Sequence, residues 1–344
     1  MRKMKVAMYY NNHDVRIEKQ DIPAISDNEL LVKVIASGVC GSDVMEWYRL
    51  KKAPLVLGHE IAGIVEKTGK NVTKFKKGDR VFVTHHVPCN TCDFCKKDQQ
   101  TLCHTLHSTK FYPGGFAQYI RVPEINIRFG TFKLPDNVSF DEGTFIEPLA
   151  CAVRGFRVGE YRKGQSVLVL GSGMAGLLNI KLAKAYGAKK IFATDIDKYR
   201  LDLAKKIGAD VVIHAKEDIV EQIKKNNNEC LVDFVILCAG VSSAVKQAID
   251  SVDYGGTILW FAMTPPGIEI PIPFFDLWNK QVKTISTYAG AGKDITEAIK
   301  LIETQKITTQ DLISHKLPMN QTPKAFKLVA EAKQSMKVIV EPHQ

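Results

Sequence analysis

The run from Ser166 to Tyr186 constrains this chain of 344 residues more than any other segment. Ser166–Leu170 (SVLVL) reads as a short buried strand, and Ala175–Tyr186 carries apolar residues at helical spacing. Between them stands Gly171-Ser172-Gly173-Met174-Ala175-Gly176. Glycines at these positions serve a tight turn, close approach of the backbone to a pyrophosphate, and close packing of helix on strand. The helix N-terminus then offers free N–H groups and the positive end of its dipole to phosphate. A glycine triplet alone is a weak signal. It gains weight because the next strand, Lys190–Thr194, runs straight into Asp195, nineteen residues past Gly176. A carboxylate at that tip accepts hydrogen bonds from both ribose hydroxyls and repels a 2′-phosphate, which favours NAD over NADP. Arg200 either lies over the adenine or is an ordinary residue of a surface helix. The conjunction of strand, glycines, helix and acidic tip implies dinucleotide binding.

Strands and helices alternate around this motif. Helices ending at Ile207 and Asn226, strands Asp210–Ile213, Asp233–Cys238 and Thr257–Phe261, and a helical Ser242–Val252 imply an α/β unit with a doubly wound parallel sheet. Cys238 and Ala262, at strand ends, are assigned to the cofactor. The first 150 or so residues differ. Glu29–Ala36, Ile61–Lys67, Asp79–Thr84 and Gly115–Val122 are short alternating or β-branched runs, heavily punctuated by Gly and Pro, so a β-rich domain with long loops is expected. The tail holds a strand Val282–Ser286, a helix Ile295–Gln305, a strand Ile313–Leu317, a helix Pro323–Ala332 and a strand Met336–Val340. Periodicity leaves open whether it extends the parallel sheet or returns to the first domain.

Hydrophobic residues make up 45% and charged residues 24%, which suits a soluble globular protein and excludes long disorder. No run approaches the roughly 20 apolar residues of a membrane helix, and a cytoplasmic protein with no membrane partner is expected. The formal charge is +10, but the lysines fall as singles and doublets and form no dense block. That argues against nucleic acid and leaves a cationic cleft for an acidic substrate open.

Eight cysteines in a long chain of this kind point to metal binding or catalysis, not to disulfides. Cys89, Cys92, Cys95 and Cys103 lie within fifteen residues, and four thiolates at that spacing close a tetrahedron on a structural zinc. An iron–sulfur cluster fits the last spacing less well. A second set is dispersed: Cys40-Gly41-Ser42-Asp43, Gly58-His59-Glu60 and Glu147-Pro148. Singly each is unremarkable. Together they supply one thiolate, one imidazole and two carboxylates, as in a zinc site with an open position.

The run Gly58-His59-Glu60-x2-Gly63-x5-Gly69-x2-Val72 resembles the signature of the zinc-dependent medium-chain alcohol dehydrogenases. Cys40-Gly41-Ser42-Asp43, Gly78-Asp79-Arg80-Val81, the four-cysteine loop, Gly114-Gly115-Phe116-Ala117 and Glu147-Pro148-Leu149 follow in the family's order, so the resemblance spans essentially the whole chain. It implies a GroES-like β-rich catalytic domain, 1–153 and 290–344, interrupted by a Rossmann NAD-binding domain, 154–289. Within the family the chain is most similar to sorbitol and threonine dehydrogenases. The resemblance implies two zinc ions per chain, the catalytic one on Cys40, His59 and Glu60, with Glu147 bound directly or through water. Asp43 then orients His59, Ser42 relays the substrate proton, and NAD takes the hydride. It also implies a homo-oligomer, a tetramer or a dimer.

Two departures stand out. Relatives carry a histidine three residues after the Ser42 position, where this chain has Met45, so Glu46, a ribose hydroxyl or water must complete the proton relay. Sorbitol dehydrogenases carry Arg-Tyr where this chain has Thr287-Tyr288, which puts sorbitol itself in doubt. Tyr48, His86 and Tyr288 are assigned to the substrate pocket, although His86 fits equally well as a polar residue at a strand end. The expected activity is NAD-dependent oxidation of a secondary alcohol on a polyol, cyclitol or sugar-like substrate. Threonine 3-dehydrogenase and a sugar-phosphate alcohol dehydrogenase are the alternatives within the class, and a non-catalytic NAD-binding zinc protein is the alternative outside it.

Overall fold

The computed structural model describes residues 2–344. The chain forms two compact units. One runs to Ala150 and resumes at Ala289, and the other is Cys151–Tyr288. The sequence boundaries at 153 and 290 fall slightly later because helix Ile146–Val158 runs unbroken through the first join and no turn marks it.

In chain order the first unit contributes β1 (Lys3–Asn11), β2 (Asp14–Asp21), β3 (Leu30–Gly38), β4 (Leu55–Val56), β5 (Glu60–Thr68), β6 (Arg80–Val83), β7 (Tyr119–Val122) and β8 (Thr131–Lys133). The second contributes β9 (Ser166–Leu170), β10 (Lys190–Asp195), β11 (Val211–His214), β12 (Val232–Leu237), β13 (Val252–Trp260) and β14 (Lys283–Ser286). The tail adds β15 (Ile313–Pro318) and β16 (Lys337–Glu341). Both tail strands join the sheet β15-β16-β3-β5-β6-β8, so the tail returns to the first unit.

The second unit is a parallel sheet in the order β11-β10-β9-β12-β13-β14. β9 is buried at every residue, as a central strand covered on both faces must be, and this accounts for its unbroken apolar run. Its core gathers Leu168, Leu170, Phe192, Val235, Val245 and Ile258. The order reverses between β9 and β12, the place where ligands bind in sheets of this kind.

In the first unit, β3 pairs antiparallel with β5, β7 and β16. Gly38 lies opposite Glu60 in one pairing and opposite Ile339 in the other, so the end of β3 joins the start of β5 to the C-terminal strand. Leu30, Val32, Ile61, Val65, Val81 and Ile120 form the core beneath. No helix of the described residues is long and apolar enough to cross a membrane.

Candidate active site and metal centres

Beyond β3 the chain turns through a short 3-10 helix, Gly41–Val44, that carries Ser42 and Asp43. β5 opens on Glu60, directly after His59. These two sequence-distant pieces bring Cys40, His59 and Glu60 together, with one ligating atom of each within 4.8 Å of the others. Glu147, in the first turn of helix Ile146–Val158, lies outside this group of three.

Asp43 is fully buried and holds the group in place. Its Oδ1 lies 3.4 Å from His59 Nδ1, and its Oδ2 accepts the Cys40 N–H at 3.1 Å. Burial opposes its charge, but His59 and Arg49 outweigh burial and hold its carboxyl below the usual range. His59 is the mirror case: burial disfavours its cation, while Asp43 and Cys40 raise its pKa well above the ordinary value. An imidazole whose Nδ1 faces a carboxylate presents its other nitrogen to a metal.

The Ser42 hydroxyl donates to Cys40 Sγ at 3.4 Å and accepts from Arg49 Nη2 at 3.1 Å. Arg49 Nε also donates to the Ser42 carbonyl at 2.8 Å, and Nη2 reaches Asp43 Oδ1 at 3.4 Å. Sequence reasoning missed Arg49. Its only signal is a basic residue one helical turn beyond Met45. Glu46, a candidate for the outer relay, instead accepts the Asn12 N–H at 3.0 Å.

Past β6, a row of rings leads away from His59. His85 lies 4.9 Å from His59 and 3.7 Å from His86, and His107 lies 6.5 Å beyond His86. Burial, with the neighbouring cations, lowers His86 to about 3 and His85 well below its ordinary value. Tyr48 lies under two cations, with the Arg49 guanidinium 4.7 Å and the Lys52 ammonium 5.0 Å from its ring centroid. Tyr288 closes the other unit and is 40% exposed.

A second residue missed from sequence is Lys337. Its Nζ lies 2.5 Å from Glu60 Oε2, and both side chains are almost completely buried. No local pattern reveals it, since the partners are 277 residues apart.

The four-cysteine loop packs as a small cluster with Leu106 and Ala291. One ligating atom from each of Cys89, Cys92, Cys95 and Cys103 lies within 4.8 Å of the rest. Backbone N–H groups of Thr91 and Cys92 point at Cys89 Sγ, at 3.5 and 3.4 Å, and the Cys89 N–H points at Cys103 Sγ at 3.4 Å. Hydrogen bonds from Thr91 and Cys92 lower the Cys89 thiol to about 5, whereas burial raises Cys95 to about 12. Four convergent sulfurs with backbone donors aimed at them form a thiolate cage of the kind that structural zinc fills.

In the second unit, Gly171 has φ of +95°, and the chain then enters helix Met174–Ala185 with Gly173 as its N-cap. A Cβ on Gly176 would lie 1.9 Å from the Gly171 carbonyl oxygen, so the helix can pack here only on glycine. A Cβ on Gly173 would meet nothing nearer than Arg200 Nη1 at 4.0 Å, which leaves open space in front of the helix N-terminus. Asp195, 6% exposed, accepts the Ser172 N–H at 2.8 Å and the Asp197 N–H at 3.0 Å, with Arg200 Nη1 at 3.8 Å. Two donors leave a carboxylate with capacity for further hydrogen bonds. The Cys238 N–H donates to the Leu170 carbonyl at 2.8 Å and the Ala262 N–H to Leu237 at 2.7 Å, so both residues sit at the carboxyl ends of the central strands. Burial raises the Cys238 thiol to about 12, which makes it a packing residue and not a nucleophile.

Comparison with known proteins identifies the family. Residues 26–136 match the alcohol dehydrogenase GroES-like domain, and residues 175–304 match the zinc-binding dehydrogenase domain. The chain is 32% identical to sorbitol dehydrogenase of Bacillus subtilis, over 99% of this chain and 98% of that one. It is 35% identical to the probable D-xylulose reductase A of Aspergillus fumigatus, over 93% of this chain and 92% of the relative. A crystal structure of a zinc-binding dehydrogenase from Sinorhizobium meliloti, bound to NADP, superposes with a TM-score of 0.89 at 28% identity, covering 99% of this chain and 100% of that one. The chain belongs to the zinc-dependent medium-chain alcohol dehydrogenases, a family of alcohol oxidoreductases.

Proposed function

We propose that this protein oxidises a secondary alcohol of a polyol, cyclitol or sugar-like substrate to a ketone, with NAD as acceptor and zinc at Cys40, His59 and Glu60. The observation that carries this reading is the convergence of those three side chains beside the Ser42 hydroxyl. When bound, zinc supplies the Lewis acidity that lowers the pKa of an alcohol, and NAD accepts its hydride. The donor set fits catalytic zinc, the four-cysteine cage fits structural zinc, and the space before Gly173 fits a pyrophosphate. Glu147 is the candidate for a further ligand, held through water.

The protein's own groups then do the following. Asp43 fixes the imidazole of His59. The N–H groups of the glycine loop face the phosphates. Asp195 takes the ribose hydroxyls and disfavours a 2′-phosphate, and Arg200 flanks it. Cys238 and Ala262 border the same strand ends. Ser42 touches the substrate oxygen and orients its proton. Arg49 cannot accept that proton, because a guanidinium remains charged throughout the working range. The proton therefore leaves by water or a ribose hydroxyl, with Glu46 turned to Asn12.

A second reading draws on the cations around Tyr48. Arg49 and Lys52 flank that ring, and His86 feels Arg49, Lys52, His59 and His107. That setting favours an acidic alcohol such as a sugar phosphate. A screen for NADH production by the zinc-loaded protein, over polyols, inositols, amino-acid alcohols and sugar phosphates, tests both readings. Turnover of a neutral polyol supports the first, preference for a phosphorylated alcohol supports the second, and no NADH from any secondary alcohol refutes both.

A cytoplasmic homo-oligomer, dimer or tetramer, is the remaining proposal. In the second unit Ile272, Phe274, Phe275 and Trp278 are 52–75% exposed, next to the open edge strand β14. Apolar exposure of this kind, in a unit whose sheet ends on a strand with one open edge, is costly in water and suits a second copy of the chain. Light scattering should give a mass of at least two chains.

A further inference from the structure

Glu60 stands at an unusual junction. One neighbour group is Cys40 and His59, which converge with it as metal donors. The other is the ammonium of Lys337, 2.5 Å from Oε2, delivered by the C-terminal strand. Lys337 has little else to bind. Its Nζ lies 4.9 Å from the centroid of the Phe145 ring, and its only hydrogen-bond acceptor among the described residues is Glu60. Gly38 makes the arrangement possible, since a Cβ there would lie 2.4 Å from Glu60 Oε2 and 2.7 Å from Lys337 Cε. A buried ion pair is weak evidence for stability, because desolvation offsets most of the attraction. This pair therefore invites a functional explanation.

The geometry points to Lys337 as a positioning residue that limits how Glu60 binds the catalytic metal. The ammonium takes a lone pair of Oε2 and competes with an ion for that oxygen, so Glu60 favours binding through Oε1 alone and is a weaker, more dissociable ligand than an unpaired carboxylate. The charge at the centre follows from the same contact. A thiolate and a carboxylate balance a dication, and Lys337 restores one positive charge, which suits a substrate oxygen that becomes anionic. The inference rests on the metal assignment above, and goes beyond it by naming what keeps a position open.

Substitutions of opposite sign test it, in protein loaded with cobalt in place of zinc. Lys337→Met frees both oxygens of Glu60, so cobalt loss to a chelator should slow about tenfold and the visible absorption bands of the ion should change. Lys337→Arg offers a two-pronged donor that holds both oxygens, so cobalt should leave faster than from the unaltered protein. Lys337→Met/Glu60→Gln removes both charges and provides a folded comparison if Lys337→Met alone unfolds; the doubly neutral protein should release cobalt faster than the unaltered one. Unchanged bands and equal release rates across these proteins would overturn the proposal and leave Lys337 a structural partner only. None of these readouts needs a substrate. Failure of the alcohol screen with a shifted cobalt spectrum would sink the dehydrogenase reading alone.

Discussion

Replacing Gly176 and Gly173 separately divides the work of the glycine loop into packing and ligand binding. In Gly176→Ala the new Cβ would start 1.9 Å from the Gly171 carbonyl oxygen and 2.9 Å from its carbon, and contacts under 3.0 Å are essentially never tolerated. Loop and helix must part by at least about 1.1 Å, the difference between 3.0 and 1.9. Forcing a methyl into packed backbone costs about 2 kcal/mol of stability. The same shift moves the N–H groups proposed to face the pyrophosphate, and about 2 kcal/mol of lost binding is roughly 30-fold in affinity. Gly173→Ala is the counterpart. Its backbone, at φ −69°, accepts alanine, and its Cβ meets only Arg200 Nη1 at 4.0 Å. Stability should change by no more than about 1 kcal/mol, the size of a poorer N-cap. NADH affinity should still fall at least tenfold, because the methyl fills the space before the helix. Urea denaturation measures the first quantity and NADH fluorescence titration the second. Wild-type NADH affinity in Gly173→Ala would refute the placement of the pyrophosphate.

Four further outcomes are expected. Cys103→Ser should lower zinc from about two per chain to about one by elemental analysis, and a value that stays at two would reject the four-thiolate cage. Arg49→Met removes the charged hydrogen bonds to Ser42 at 2.8 and 3.1 Å, and should cost about 2 kcal/mol in stability while lowering kcat more than it raises KM for NAD. Asp195→Ala should erode the preference for NAD over NADP, measured as the ratio of kcat/KM values, and an unchanged ratio would show that this carboxylate does not read the ribose. His86, lowered to about 3 by burial and then by the charges of His59, His107, Arg49 and Lys52, takes up a proton less readily than in the unfolded chain. Stability should therefore fall as pH drops from about 6.5 toward 3, and His86→Gln should flatten that slope in urea titrations.

The parallel sheet was legible because its signals are local. A fully buried five-residue strand, a glycine turn and a periodic helix each sit within one window of sequence, and β9, β10 and β12 fall within a residue or so of their expected limits. β13 is the exception. It begins at Val252, five residues before the expected start, and its pairing with β12 shifts register between Val232 and Phe234. Gly255 and Gly256 hide that extension, since paired glycines read as a turn. The destination of the tail was not legible from periodicity. β16 is buried along almost its whole length, as a strand in either sheet would be, so only the family resemblance separated the two topologies.

The site was legible to the extent that its chemistry is written in residue type. Cysteines at close spacing, a Gly-His-Glu run and an acid at a strand tip carry meaning without coordinates. Arg49 and Lys337 do not, because arginine and lysine are the commonest residues of a basic surface and only burial distinguishes these two. Yet they change the mechanism more than any residue read from the motifs. With Met45 in the relay position, sequence alone asks which group takes the proton onward from Ser42. The structure changes the question. Arg49 donates to Ser42, and a group that only donates closes that route and fixes the hydroxyl in its place. A chain with ten surplus positive charges has thus set two of its cations in the catalytic unit, one against Ser42 and one against Glu60, where each is held by a partner and neither can be exchanged for a surface lysine. In the mechanism proposed above, these cations would support an oxygen that gains negative charge, while the proton still leaves by water or a ribose hydroxyl in place of the histidine relay.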